Sequence, residues 1–133
     1  MEEKFDFTKE VEKHYPDIKV VKTTLKNIYN LTGSKGRSTE ETRKKGVYAL
    51  FYENELKKIG KATYDSGIFH RMSQYYRMDK TGGLKNINEK NRDKIEVLYF
   101  NPPEEECWFG ERRLQVIAHD YGEKMPWENT SRN

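Results

Sequence analysis

Alternating and clustered apolar residues along the chain predict a small β-sheet that is covered by helices. The stretch GVYALFYENELKKIG (residues 46–60) has two apolar arms around a polar centre, which is typical of a β-hairpin. The run IEVLYF ends before Asn101 and two prolines and predicts another strand. Because a lone hairpin is not stable in water, these strands need other elements to pack against them.

Two later segments have apolar residues at helical spacing. In SGIFHRMSQYYRM (residues 66–78), Ile68, Met72 and Tyr75 follow the i, i+4, i+7 pattern of one helix face. Residues 106–127 predict a second helix that ends near a glycine and a proline. Its apolar stripe consists of Leu114, Ile117, Ala118 and Tyr121.

The order of these elements predicts an α+β fold in one domain. Before the hairpin, FDFTKEVEKHY (residues 5–15) predicts a short helix and IKVVKTTL (residues 18–25) a possible strand. We expect a three-stranded, largely antiparallel sheet flanked by helices, formed by residues 46–133. Residues 1–45 are then an N-terminal extension that ends in a basic loop.

Composition limits the class of protein. Hydrophobic residues make up 34% and charged residues 35% of the chain, and nine tyrosines argue against disorder. A net charge of +3 favours a polyanionic partner only weakly. The single cysteine, Cys107, fits a reducing compartment. With no signal peptide and no apolar run near ~18 residues, we expect a cytoplasmic protein without a membrane segment.

Two polar, glycine-containing segments, residues 30–45 and 79–94, predict exposed loops. The first carries five cations, among them Lys35 and Arg37. These charges fit a solvated linker and equally an arm that contacts phosphate groups, so composition leaves both interpretations open.

Two charged residues lie at the edges of the predicted apolar faces. Glu111 precedes Leu114 by three residues and continues its stripe towards the sheet, where a carboxylate is costly unless it meets a cation or a metal. Periodicity alone favours another interpretation, a first-turn position near solvent and the helix dipole. Arg71 lies four residues before Tyr75, and a long arginine side chain usually packs its stem and exposes its charge.

The register of the hairpin decides whether Tyr48 and Lys58 share a face. A three-residue turn at residues 53–55 places Tyr48 opposite Gly60, so that Tyr48 and Lys58 become diagonal neighbours. Gly60 would then leave open space beside Tyr48, as strand glycines near ligands do. A two-residue turn would put the pair on opposite faces, but this stretch lacks the glycine that such turns prefer.

The motif GVY, nine residues and then KIG resembles the paired signature of the GIY-YIG nucleases. Lys58 stands where most members have tyrosine, as in some restriction endonucleases of that family. The run RMSQYYR (residues 71–77) resembles the family's arginine helix. Residues 111–129 resemble its metal-binding glutamate helix, with Glu111 as the glutamate and Asn129 as the trailing asparagine. The resemblance covers residues 46–129.

These residue types suit phosphodiester hydrolysis, and the resemblance implies the same roles. Tyr48 would act as general base, and Lys58 would lower its pKa or orient the attacking water. Arg71 would bind the phosphoryl oxygens, and Glu111 would hold one divalent metal, Mg²⁺ or Mn²⁺. The expected activity is that of a metal-dependent DNA endonuclease in a bacterial or phage-infected cell.

Double-stranded DNA is the expected partner, and a homodimer would supply two active sites. The residues expected to contact nucleic acid are Lys35, Arg37, Lys61 and Asn129. Other interpretations stay open at this point: a structure-specific repair or recombination nuclease of the same fold, a catalytically idle nucleic-acid-binding module, or an interaction domain with coincidental motifs.

Overall fold

A four-stranded antiparallel sheet forms the centre of the fold. Its strands are β1 (Val21–Thr24), β2 (Gly46–Tyr52), β3 (Glu55–Ala62) and β4 (Glu96–Phe100). They lie in the order β1-β4-β2-β3, and every neighbouring pair is antiparallel. The fold is therefore α+β, as predicted, but the prediction of three strands is wrong. The fourth strand, β1, comes from the N-terminal extension and pairs with β4, whose other side already pairs with β2.

The computed structural model describes residues 4–30 and 40–130, and it contains five α-helices in these ranges. No helix in this part of the chain is long and apolar enough to cross a membrane. A single turn of 3₁₀-helix (Arg92–Lys94) precedes β4. The α-helices are α1 (Phe7–His14), α2 (Leu25–Tyr29), α3 (Glu40–Arg43), α4 (Gly67–Tyr76) and α5 (Glu104–Asp120).

Two hydrophobic cores form, one on each face of the sheet. On the first face, side chains of α2 and α4 pack against alternate residues of β2, such as Tyr48 and Leu50. On the second face, side chains of α1 and α5 pack against the intervening residues, such as Val47 and Ala49. Because α1, β1 and α2 contribute to these layers, much of the N-terminal extension is part of the same domain.

The hairpin reaches its predicted register by a different route. Its turn has two residues, Glu53 and Asn54, which both adopt positive φ angles of 54° and 64°. The prediction of a three-residue turn is therefore wrong. A β-bulge corrects the register, since Phe51 pairs with Leu56 whereas Leu50 pairs with Lys58, which leaves Lys57 unpaired. Tyr48 lies opposite Gly60 and on the same face as Lys58, as predicted.

The segment of residues 79–94 is more ordered than its polar composition suggests. Leu84 and Ile87 are buried in the core of the first face. Asn88 and Asn91 bond to each other's backbone amides through their side-chain oxygens, which closes a turn within the segment. In the other predicted loop, residues 31–39 lie outside the described ranges.

The buried stripe of α5 differs from the predicted one at its end. Leu114 and Ala118 are buried as expected, but the stripe continues towards the N-terminus through Gly110 and Cys107. Tyr121 lies beyond the last residue of the helix and is 40% exposed, so its assignment to the stripe is wrong.

Replacing Phe7 tests whether the N-terminal extension belongs to the fold. Its side chain is 2% exposed, and its ring meets that of Phe100 at a centroid distance of 6.0 Å. We expect Phe7→Ala to lower the free energy of unfolding by about 3–5 kcal/mol in urea denaturation, because it empties a buried site. Thr8→Ala, at the neighbouring half-buried position, serves as control. If the urea midpoint of Phe7→Ala equals that of the wild type, the N-terminal extension does not contribute to the stability of the fold.

Candidate active site

Tyr48 lies on the first face of the sheet, at the centre of the predicted site. Its side chain is 1% exposed. A Cβ atom built on Gly60 would lie only 2.4 Å from the Tyr48 hydroxyl oxygen, so this oxygen occupies the space above the glycine. The expectation of open space beside Gly60 is therefore wrong. Gly60 is required because any side chain there would collide with Tyr48.

The hydroxyl groups of Tyr48 and Tyr75 form a buried hydrogen bond. Tyr75 is 3% exposed, and the two rings meet edge-on with centroids 5.9 Å apart. Periodicity predicts Tyr75 correctly as a core residue but does not place its hydroxyl group at the site. The one sequence signal is its distance of four residues from Arg71, which puts both side chains on one helix face.

The pKa of Tyr48 is raised well above its ordinary value, mainly because burial removes the phenolate from water. The neighbouring Tyr75 raises the pKa further, by its charge and by its hydrogen bond, and the cation that opposes the rise is Arg71. The first role expected of Lys58, lowering the pKa of Tyr48, is thus not what the structure shows. Its second role, orienting the attacking water, stays a prediction.

Lys58 lies between charges of both signs. Burial lowers the pKa of its ammonium group, Arg71 and Lys61 lower it further, and the carboxylates of Glu111 and Glu128 oppose these effects. The half-buried amine therefore loses its proton more readily than an exposed lysine. This property suits a group that exchanges protons with water at the site.

Arg71 is held over the site by aromatic rings and by the segment of residues 79–94. Its guanidinium carbon lies 5.0 Å from the ring centroid of Tyr64 and 5.9 Å from that of Tyr75. Nη1 donates a hydrogen bond to the carbonyl oxygen of Gly82 at 3.3 Å. Nε is buried and has no hydrogen-bond partner among the described residues. Arg71 thus has an unused donor, which an anionic ligand could satisfy.

Glu111 is neither in the first turn of its helix nor unpaired. α5 begins at Glu104, so Glu111 follows two full turns later, and the helix dipole does not explain its position. Its side chain is 18% exposed, and Oε1 lies 3.3 Å from Nζ of Lys61. Lys61, which we predicted to contact nucleic acid, is therefore the cation that Glu111 meets.

The four predicted catalytic residues come together at β3, an outer strand of the sheet. Tyr48 and Arg71 approach from the first face, and Glu111 belongs to the helix on the second face. The charges of Arg71 and Glu111 both act on the ionisation of Tyr48 and of Lys58. Glu111 therefore reaches the site around the strand edge.

Glu128 belongs to the site, although sequence reasoning did not find it. Its carboxylate raises the pKa of Lys58. Oε2 lies 3.3 Å from Nε2 of His119, whereas Oε1 is buried without a hydrogen-bond partner in residues 4–30 and 40–130. The backbone amide of Trp127 donates to the carbonyl oxygen of Lys57 at 2.9 Å, which holds this segment against β3. Only its position next to Asn129 could have drawn attention to Glu128.

Asn129, which is expected to contact nucleic acid, lies in the segment that follows α5. It is exposed and has a φ angle of 59°. Its side chain makes no hydrogen bond within the described residues. Lys35 and Arg37, the other two residues expected to contact nucleic acid, lie outside the described ranges.

An open cavity of about 360 Å³ adjoins Arg71. Tyr64, whose ring lies beneath the guanidinium group, forms part of its wall. Three cations from the end of the basic loop line the same cavity, and one of them, Lys45, is paired with Glu104. These cations are Arg43, Lys44 and Lys45. Asp65 and Glu104 line the cavity as well, so its charges are mixed, with an excess of one cation.

Two carboxylates could ligate a metal at the site, those of Glu111 and Glu128. Residues 4–30 and 40–130 contain no group of three or more His, Cys, Asp and Glu side chains placed to hold an ion. Two oxygen-donating side chains, one with a buried unpartnered oxygen, fit a hard cation such as Mg²⁺ that keeps most of its water ligands. They do not fit zinc in a closed structural site.

Compared with known proteins, the chain matches no family model, no curated protein and no solved structure. The resemblance to GIY-YIG nucleases therefore rests on the four sequence motifs.

The hydrogen bond between Tyr48 and Tyr75 gives a test that needs no substrate. Removing either hydroxyl leaves the other buried and unpaired, so Tyr48→Phe and Tyr75→Phe should each cost about 1–3 kcal/mol of unfolding free energy. The double variant should cost much less than the sum of the two, which a double-mutant cycle in urea measures. Tyr52→Phe is the control, because no hydrogen bond involves its hydroxyl in the described residues. Additive effects would disprove the pairing.

Proposed function

We propose that this chain is a metal-dependent DNA endonuclease of the GIY-YIG type, which hydrolyses phosphodiester bonds. The observation that carries the proposal is the meeting of Tyr48, Lys58, Arg71 and Glu111 at β3, although they come from four elements, β2, β3, α4 and α5. A base, two cations and a carboxylate are the groups that this hydrolysis needs.

Arg71 is the proposed anchor of the scissile phosphate. Its unpaired Nε can donate to a phosphoryl oxygen, while Tyr64, Tyr75 and Gly82 hold the guanidinium group in place. The cavity beside Tyr64 offers cations to a neighbouring phosphate of the same strand.

Tyr48 is the proposed general base. In the free protein its phenol is un-ionised, so only the fraction that has first released its proton to solvent, as phenolate, can accept the proton of the attacking water. Arg71 supports this step, because its positive charge favours the phenolate. Lys58 is proposed to orient the attacking water and, with its lowered pKa, to exchange protons with it.

Glu111 is the proposed ligand of one divalent ion, Mg²⁺ or Mn²⁺, with Glu128 as a second oxygen donor nearby. When bound, such an ion supplies Lewis-acid stabilisation of the phosphate and of the leaving 3′ oxygen. In this structure Lys61 neutralises Glu111. Glu111 is then free to bind the ion once Lys61 turns to a phosphate group of DNA, which would restore the role predicted for this lysine.

A catalytically idle nucleic-acid-binding module is the second candidate. The observation that favours it is the complete burial and un-ionised state of Tyr48, which gives a weak base. Both candidates bind DNA and both lose affinity as salt rises. They differ in Mg²⁺-dependent cleavage of plasmid DNA, which only the nuclease performs. A repair or recombination nuclease would share the chemistry and would cleave branched DNA faster than plasmid.

Glu111→Gln separates the catalytic role of the carboxylate from a structural one. We expect Mg²⁺-dependent nicking of plasmid DNA to fall by about 10³-fold or more, because stabilisation of charge by a metal is worth several kcal/mol. DNA affinity should persist or increase slightly, since one negative charge is lost. The control is Glu106→Gln in the first turns of the same helix. Undiminished nicking by Glu111→Gln would remove Glu111 from the mechanism.

The pH dependence of nicking tests Tyr48 as the base. Because the pKa of Tyr48 lies above 10.0, its ionised fraction rises about tenfold per pH unit between roughly pH 7 and 9. The nicking rate should rise with a similar slope, also in Lys58→Met, which removes the competing titration of the lysine. Tyr48→Phe should be inactive throughout. A rate that does not change with pH in this window would contradict the assignment.

A further inference from the structure

The solvent-facing side of α5 exposes large apolar side chains that the active site does not use. Trp108 and Phe109 are each 58% exposed, and Val116 is 47% exposed. The two aromatic rings contact each other edge-on at a centroid distance of 5.3 Å. Two adjacent exposed aromatic residues on a regular helix are characteristic of a surface that binds another protein.

Two charged residues flank the aromatic pair along the helix. At 100° per residue, five exposed or partly exposed positions fall within an arc of about 100°, which we call the α5 stripe. Glu105 and Arg112 form no ion pair or hydrogen bond within the described residues. Their neighbours Glu104 and Arg113 by contrast bind Lys45 and Tyr15. The α5 stripe consists of Glu105, Trp108, Phe109, Arg112 and Val116.

The charged residues of the α5 stripe are placed so that the stripe is complementary to the same stripe on a second copy of the chain. The pairs Glu105–Arg112 and Trp108–Phe109 have the same midpoint along the helix. When an antiparallel copy of the helix is centred on this point, Glu105 faces Arg112 of the partner subunit near the middle of the seam. Trp108 meets the partner's Trp108 on one side of the seam, and Phe109 meets the partner's Phe109 on the other side. The two-fold axis makes the Glu105–Arg112 contact twice, as an isologous interface requires.

We propose that the chain forms a homodimer through the α5 stripe, with the two helices antiparallel about a two-fold axis. A second copy is the occupant that the stripe fits, because the acid and the base lie equally far from the centre of the aromatic pair. One pair of helices buries less surface than a standard interface, so the dimer should be reversible and depend on concentration. The inference does not rest on the nuclease activity.

Sedimentation equilibrium of the full chain without DNA tests the interface. Wild type should shift with concentration from 15.9 kDa towards twice that mass. Glu105→Arg and Arg112→Glu should each weaken the dimer by about tenfold, because each places like charges opposite one another at two symmetric points. Trp108→Ser should weaken it at least as much.

Combining the two charge reversals gives a result specific to this geometry. The double variant Glu105→Arg/Arg112→Glu should dimerise within about threefold of wild type, because complementarity returns with reversed sign. An equimolar mixture of the two single variants should form a heterodimer, since one chain then presents two cations and the other two carboxylates. Circular dichroism and melting temperature confirm that each variant is folded, as expected for exposed positions.

Glu12→Arg, an equivalent reversal at an exposed position on α1, is the matched control and should leave the dimer unchanged. A wild type that stays monomeric at all concentrations would overturn the proposal. A dimer that neither charge reversal weakens, or a mixture that forms no heterodimer, would also overturn it, because the interface would then lie elsewhere. None of these outcomes depends on DNA cleavage, so the proposed dimer and the proposed activity can be refuted independently of each other.

Discussion

The bulge at Lys57 in β3 is the constraint on which the site depends. One extra residue shifts the rest of the strand by one position relative to β2. Lys58 thereby joins Tyr48 on the first face, Gly60 comes to lie under the Tyr48 hydroxyl group, and Lys61 faces Glu111 on the second face. The carbonyl group of Lys57 also accepts the hydrogen bond from Trp127, which brings Glu128 to the same place. Without the bulge, Lys58, Gly60 and Lys61 would each face the opposite side of the sheet.

Local sequence patterns predicted the elements better than the contacts between them. Apolar periodicity located α4, α5 and the hairpin, but β1 pairs with β4 across more than seventy residues, a contact that no local pattern reports. The turn at Glu53 and Asn54 adopts positive φ angles without glycine, so the rule for two-residue turns misled the prediction. Because the bulge adds the one residue that the shorter turn lacks, the predicted register at Tyr48 is correct although the predicted turn is wrong.

Residues of the candidate site could be predicted where they belong to a sequence motif. Residues that only the tertiary structure brings to the site could not be predicted. Tyr48, Arg71 and Glu111 stand in recognisable motifs, whereas Tyr75 looks like any core tyrosine and Glu128 follows no pattern. The protonation of Tyr48 could not be predicted, because burial outweighs the neighbouring cation, and burial depends on α4 packing over the strand. A charged residue that lies nearby in the sequence or on the paired strand is thus a poor guide to the pKa of a side chain when burial has the larger effect.

The unpaired buried atoms of the site indicate a protein shaped for a ligand rather than for stability alone. A buried donor or acceptor without a partner costs about 1–3 kcal/mol, and proteins keep such groups mainly where function requires them. In the part of the chain that the structure describes, Nε of Arg71 is an unsatisfied donor, and Oε1 of Glu128 is an unsatisfied acceptor on a carboxylate that acts on Lys58. A phosphate group satisfies the donor, and a hydrated cation satisfies the acceptor. Within the described residues these two groups have no partners, and the phosphodiester and counter-ion of the proposed function would supply both.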